Sequence, residues 1–343
     1  LLMIGRNARR AAPKGGDYAR EPTPFHRVYK NLFPVIIDLA VDPEPVTRQL
    51  FSALAYQLVR WFTRNQAREA AETVALLDAV TRGLAGPSSA SQGDDRGGVG
   101  GGLAASRREL CAALAAECLR WSVKHLPAES GGGQDKHGGA AVNVKSILRR
   151  LYAFQTHPEP TKRLGASFAL QRCLTELRQH PALMEAHALE ILEVTLRSLR
   201  LAEGDPPRAG AEEAGALLAR AATRACARHA TALCREPPSG GTARGGSFGT
   251  LPPLVEWIFT HGTARVETRA RLESQAAFSA LVQRLPNFLS PSKWLAEMRA
   301  ASRGASDGWP FRVTAEPPTP AALARVAESP DEDVAAATAW MRS

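Results

Sequence analysis

Five residues, Gly245-Gly246-Ser247-Phe248-Gly249, match the G-x-S-x-G pattern of a serine nucleophile. In that arrangement a buried strand feeds a strained turn, which lifts the serine hydroxyl onto the start of a helix. Here the preceding residues, Pro237 to Arg244 (PPSGGTAR), are turn formers with no strand character. The match is therefore a coincidence of composition, and an independent helical hydrolase resting on Ser247 is set aside. Histidine offers no better route. His26, His125, His137, His157, His180, His187, His229 and His261 form no H-E-x-x-H pair and no zinc spacing with cysteine. They read as surface or capping residues. No G-x-x-x-x-G-K-[ST] loop is present to cradle phosphates, the glycine tract 97–102 lacks both a preceding strand and the right register, and the kinase H-R-D and D-F-G patterns are missing.

Cys111, Cys118, Cys173, Cys226 and Cys234 are odd in number and widely scattered, which suits reduced thiols better than disulfides. Cys111 and Cys118 lie seven apart and Cys226 and Cys234 eight apart, spacings that put small apolar groups on one helix face. They are expected to pack in a core. The expected catalytic, cofactor-binding and metal residues of the chain are thus none.

What remains is charge. The chain carries 43 Lys and Arg against 34 Asp and Glu, a net charge of +9, with no apolar run of membrane-spanning length and no secretory signal. Arg107-Arg108, Arg149-Arg150 and Lys162-Arg163 are basic pairs on helical segments, and Arg265, Arg269 and Arg271 are spaced along another. Solvated faces explain them most simply. The functional reading makes Arg265, Arg269 and Arg271 nucleic-acid-binding residues on a positive concave surface. No stacking aromatics are interleaved with them, so any binding is expected to be weak, sequence-independent and salt-dependent.

The elements that must position these residues are helices. Alanine is abundant, aromatics make up 6% of the chain, and alternating β-branched runs are nearly missing. Leu50, Leu54, Leu58 and Trp61 follow a helical period, as do Leu110, Leu114, Cys118 and Trp121, then Leu189, Leu192, Leu196 and Leu199. Trp61, Trp121, Trp257 and Trp294 all fall on apolar faces. The pattern predicts helices over 25–41 (with Pro34 as a possible break), 44–64, 67–84, 103–126, 143–156, 159–179, 181–203, 209–235, 251–261, 265–285 and 291–301, and a weaker pair within 319–342. Prolines near 43, 158–160, 181 and 252–253 stand where helices begin, and Gly83 and Gly86 where one ends.

Paired helices recurring every 40–50 residues make an all-α solenoid of antiparallel pairs, of HEAT or armadillo type; a globular helical bundle is the alternative. The array is expected over 24–301, between an irregular segment 1–23 and a poorly defined tail 302–343 with possible helices. Three Gly-rich loop inserts, 86–102, 128–141 and 236–249, are expected to be mobile. The first residue, Leu1, suggests a fragment of a longer protein.

Several strings carry a family resemblance. They are Val46-Thr-Arg-Gln-Leu50, Trp61-Phe-Thr63, Thr73-Val-Ala-Leu-Leu77, Trp121-Ser-Val-Lys124, Asn143-Val-Lys-Ser-Ile147 with Arg150-Leu-Tyr152, Lys162-Arg-Leu-Gly-Ala-Ser167, and Leu285 to Leu295 (LPNFLSPSKWL). In this order, over roughly residues 24–298, they resemble the circular cradle of helical repeats in a DNA-activated member of the phosphatidylinositol-3-kinase-related kinase family. The Gly-rich inserts and a Lys-poor 236–249 loop depart from that family's pattern. The resemblance implies a nuclear serine/threonine kinase recruited to DNA ends by the Ku heterodimer in non-homologous end joining, with this segment as a non-catalytic scaffold. It places ATP and Mg in a C-terminal kinase domain and no cofactor here, and it implies neither a membrane partner nor a small-molecule substrate for the segment. A free-standing HEAT-repeat adaptor in transport or translation is the other reading.

Overall fold

Prolines and short polar side chains set most of the helix starts. In the computed structural model the described residues are 26–65, 70–86, 99–124, 142–206, 209–236, 246–262 and 268–286. They form α1 (His26–Leu39), α2 (Pro45–Arg64), α3 (Ala70–Ala85), α4 (Val99–Lys124), α5 (Val144–Gln155), α6 (Pro160–Leu177), α7 (Pro181–Ala202), α8 (Ala211–Arg228), the single turn α9 (Ala230–Leu233), α10 (Leu251–Trp257) and α11 (Arg269–Val282). A π-helical turn, Ile258–Gly262, prolongs α10. No strand occurs among the described residues, and none of their helices is long and apolar enough to cross a membrane. The expected helices 291–301 and 319–342, Trp294 and the segments 1–23 and 302–343 lie outside the described residues.

Pro45, Pro160 and Pro181 each open a helix, where the missing N–H costs nothing. The carboxylate of Glu44 caps α2, accepting from Val46 N at 3.1 Å and Thr47 N at 2.5 Å. Asn143 and Ser146 close a reciprocal capping box on α5, at 2.8 and 2.9 Å. Pro34 does not break α1, which runs through it. Gly86, at φ +73°, ends α3 in the left-handed region as expected, but Gly83 does not cap it. Gly83 is buried inside α3, where a Cβ would stand 2.3 Å from Cys111 Sγ on α4.

Helix α4 begins at Val99, inside the stretch 86–102 expected to be a loop. Glycine weakens a helix by about 1 kcal/mol per residue without blocking it, and the Ser106 hydroxyl donates to the Gly102 carbonyl at 3.0 Å. Of that insert, 87–98 lies outside the described residues, as do all of 128–141 and the 237–245 part of the third.

The helices pack in two layers. α1, α3, α5, α7 and α10 form one layer, and their successors α2, α4, α6, α8 and α11 the other, each leaning on the next along the array. This stepwise stacking of antiparallel pairs is an α-solenoid rather than a globular bundle. The starts of α2, α4, α6, α8 and α11, at residues 45, 99, 160, 211 and 269, set a repeat of 51–61 residues. That exceeds the expected 40–50, because long connections separate the pairs. The second layer is tight throughout. In the first, α1 lies closely on α3, whereas the short α5 touches α3 and α7 only lightly.

One apolar core runs from Tyr29 to Leu281. At its start Tyr29, Phe33 and Phe62 meet with ring centroids 5.4–5.7 Å apart. Cys111, Cys118, Cys173 and Cys226 are buried and Cys234 half-buried, as the spacing predicts for core thiols. Burial pushes the thiols of Cys111, Cys118 and Cys226 up to about 12 and raises that of Cys173, which keeps them protonated and unreactive. The compact unit that contains this core ends at Pro286.

Candidate functional site

The Ser247 turn is ordered by a buried acid. Glu193, on α7, is 3% exposed. It accepts from the Ser247 backbone N–H at 3.1 Å and the Ser247 hydroxyl at 2.8 Å, and pairs with Arg197 at 2.7 Å. Next to it Phe248 tilts against Trp257 at 5.8 Å, while the guanidinium groups of Arg197 and Arg200 lie over the Trp257 ring at 5.5 and 4.9 Å. The serine proton is thus held by a carboxylate already committed to an arginine, an arrangement that ties a loop down. Residues 246–249 consequently belong to the fold and correct the expectation of a mobile insert reaching Gly249. The glycines read as a linker, but one serine and one aromatic anchor the end of it.

The basic pairs divide sharply. Arg163 is no solvated residue: it is 1% exposed and donates from its Nη2 to both oxygens of the Asp205 carboxylate. Its Nη1 also donates to the carbonyls of His157 and Pro158, at 2.6 and 2.5 Å. Lys162, its neighbour, pairs with Glu159 at 3.0 Å. Arg107 reaches Asp38 at 3.0 Å, and Arg150 reaches Asp78 at 3.1 Å. Arg108 is half-buried, and burial holds its guanidinium below the ordinary value. Arg149 is exposed.

Of the three arginines singled out for nucleic acid, two lie among the described residues. Arg265 lies outside the described residues. Arg269 faces Glu213 at 3.5 Å. Arg271 is half-buried, and its Nε has no hydrogen-bond partner among the described residues. Two positions apart, Arg269 and Arg271 point about 200° from each other around α11.

What the second layer carries instead is a ladder of ion pairs between successive repeats. Arg60 on α2 meets Glu117 on α4 at 3.0 Å, Arg120 on α4 meets Glu176 on α6 at 2.7 Å, and Arg172 on α6 returns to Glu109 at 2.9 Å. Arg220 on α8 joins Glu273 on α11 at 2.5 Å, beside the Arg269–Glu213 pair. Glu117 and Glu273 are buried to 6% and 4% side-chain exposure, while their arginines stay in solvent. The acids therefore sit under the surface and the arginines close over them. This ladder was not read from the sequence, because its partners lie 53–63 positions apart, far outside the i, i+4 window. Opposite charges recurring at the repeat length were the available signal.

Glu117 shows how the ladder responds to pH. Burial pushes its carboxyl up, but hydrogen bonds from Trp121 and Arg60 and the charges of Arg120 and Arg60 outweigh that and hold it below the ordinary carboxyl value. A carboxyl with a depressed folded pKa contributes stability that is present above its unfolded pKa and lost as pH falls through the folded one. The chain should therefore lose stability below about pH 4.5 with a component that Glu117→Gln removes. At neutral pH that variant should cost about 1–2 kcal/mol in a urea titration. A parallel pH dependence in both proteins would contradict this role.

Among the described residues no group of His, Cys, Asp and Glu could hold a metal ion. The arrangement holds repeats in register and displays charge.

Comparison with known proteins agrees with this picture. The family model for the DNA-dependent protein kinase catalytic subunit, CC1/2 region, matches residues 23–306. The chain is 33% identical to the DNA-dependent protein kinase catalytic subunit of Mus musculus over 87% of its length, and 32% identical to that of Gallus gallus over 81%. It is 30% identical to the Dictyostelium discoideum protein over 89%. These matches cover only 6–7% of each relative's own length. A family match over most of the chain, falling on the same helices that build the solenoid, shows that it belongs to the DNA-dependent protein kinase catalytic subunit family, within the CC1/2 region.

Proposed function

We propose that this chain is a non-catalytic scaffold segment, of HEAT type, within a DNA-activated nuclear serine/threonine kinase acting in double-strand break repair by non-homologous end joining. The observation that carries this reading is the match of residues 23–306 to the CC1/2 region of such kinases, on a solenoid knit by inter-repeat ion pairs. The segment's role is mechanical: it sets the spacing and stiffness of the array between distant parts of a much longer protein. ATP and Mg belong to the kinase domain of that assembly, and Ku and DNA ends engage the assembly rather than a dedicated pocket here. Any contact of this segment with DNA runs through phosphates, with Arg269 and Arg271 as weak contributors beside exposed cations such as Arg149.

The test is made in the full-length protein that contains this chain. Glu117→Gln together with Glu273→Gln loosens two rungs of the ladder without touching a kinase domain. Phosphorylation of a peptide substrate stimulated by Ku and DNA ends should fall several-fold, while the basal rate without DNA is kept. Unchanged stimulation would sink the scaffold reading. A transcript in which this array ends without any kinase domain would favour the free-standing adaptor.

A further inference from the structure

The first layer of the solenoid leaves an open seam where the second does not. α5 spans twelve residues against eighteen in its partner α6, and it touches α3 only lightly. Between α1, α3 and α5 this leaves a groove of about 460 Å³, within the size range of ligand pockets. Its floor is apolar. Ala71, Val74 and Ala75 come from α3, at positions that share one helix face, and Ala153 and Phe154 come from α5. Small side chains on both walls keep the space from closing.

The rim is basic. His26 and Lys30 stand on the α1 side, Arg82 on α3 and Arg150 on α5, with Asp78 as the acid among the lining residues. Asp78 is already paired with Arg150 at 3.1 Å. Arg82 uses its Nε on the Asp78 backbone carbonyl at 3.3 Å and meets no carboxylate among the described residues. Lys30 is exposed and has no ion-pair partner among them. The buried Nδ1 of His26 likewise has no hydrogen-bond partner among them. Two cations and an imidazole nitrogen, none compensated among the described residues, thus border an apolar trough whose rim residues Lys30, Arg82 and Ala153 are exposed to solvent.

We propose that this groove docks an acidic amphipathic peptide segment of a partner protein. An aliphatic or aromatic anchor would fill the trough over Val74 and Phe154, and carboxylates one helical turn away would reach Lys30 and Arg82. Such a segment satisfies both halves of the site at once, as helix-in-groove recognition requires. Nucleic acid satisfies one half only. Its phosphates would find two free cations rather than a row of them, and the apolar floor would stay wet. One approach to the Phe154 ring is taken by Lys162 Nζ, 5.9 Å from its centroid, which leaves little of it for a base to stack on.

The probe is a random twelve-residue peptide library displayed on phage and panned against the 343-residue chain. Recovered peptides should combine an apolar or aromatic anchor with two or more Asp or Glu. Their binding, read by fluorescence anisotropy with the synthetic peptide, should weaken about tenfold in Lys30→Glu/Arg82→Glu. It should be lost in Ala153→Trp, an exposed position where a large side chain fills the groove without entering the core. Thermal unfolding of both variants should match the parent chain, which separates occlusion from misfolding. Recovery of no peptides, or of peptides lacking acidic residues, would overturn the proposal. So would binding indifferent to Ala153→Trp. Tight binding of a twelve-nucleotide DNA that both variants abolish would assign the seam to nucleic acid instead.

Discussion

Replacing Gly165 with alanine is expected to lower the unfolding free energy of the chain by about 3 kcal/mol, the upper end of what overpacking by a single methyl costs. Gly165 lies on the face of α6 that crosses the last turn of α3. A Cβ built there would stand 2.2 Å from the Leu84 carbonyl oxygen and 2.7 Å from its carbon. Both are backbone atoms, so no side chain can swing aside. Either α3 or α6 must shift as a body, and α3 has no slack, because Gly83 on the same turn meets Cys111 of α4 equally closely. One added methyl therefore strains three helices of two successive repeats. Gly102 supplies the control. It is helical and exposed, and a Cβ there meets nothing within 4 Å. Gly102→Ala should raise stability by about 0.5–1 kcal/mol through helix propensity alone. Urea denaturation followed by far-ultraviolet circular dichroism measures both. A Gly165→Ala cost within 1 kcal/mol of zero would mean that α3 and α6 do not cross this closely in solution.

Gly165 also marks where the sequence stops being legible. Periodic leucines and opening prolines announce where most helices lie, since those signals are local and each depends on residues within a turn or two. The same local reading places Gly165 inside a helix, and there it looks like a modest weakness. Its purpose depends on Leu84, eighty-one positions away, which no periodicity reveals. Charge behaves alike. Lys162 and Arg163 are adjacent and identical in sign, yet one pairs near the surface with Glu159 and the other disappears beneath a loop. One position rotates a side chain about 100° around the helix, which is enough to carry it from solvent into the interior. Ser247 and Glu193 repeat the lesson, because a glycine-rich run conceals a residue whose partner lies 54 positions back. The fold class is legible because it rests on local signals, and the pairing of each cation is not because it rests on distant ones.

Arg163 carries the larger consequence. Its guanidinium, almost wholly buried, joins the α5–α6 connection, through the His157 and Pro158 carbonyls, to Asp205 beyond the end of α7. Successive repeats are thus fastened at one rim by a single side chain with four of its hydrogen bonds in place. Arg163→Met keeps most of the volume but strands the Asp205 carboxylate, 10% exposed, and two carbonyl oxygens. Removing one member of a buried pair in this way should cost about 3–5 kcal/mol, because the charge left behind has lost both water and its partner. Asp205→Leu should be nearly as damaging, since a buried cation is then left with neutral acceptors only. The double replacement Arg163→Met/Asp205→Leu leaves neither charge, so its cost should fall short of the summed single costs by about 1–3 kcal/mol. Salt provides a second, independent discriminator. Exposed rungs such as Arg172–Glu109 should weaken between 0.1 and 1 M salt as screening shortens from about 10 to about 3 Å, whereas the buried pair should not. Strict additivity in the double variant, or a single-variant cost below about 1 kcal/mol that vanishes at high salt, would show that Arg163 is solvated in the folded chain after all.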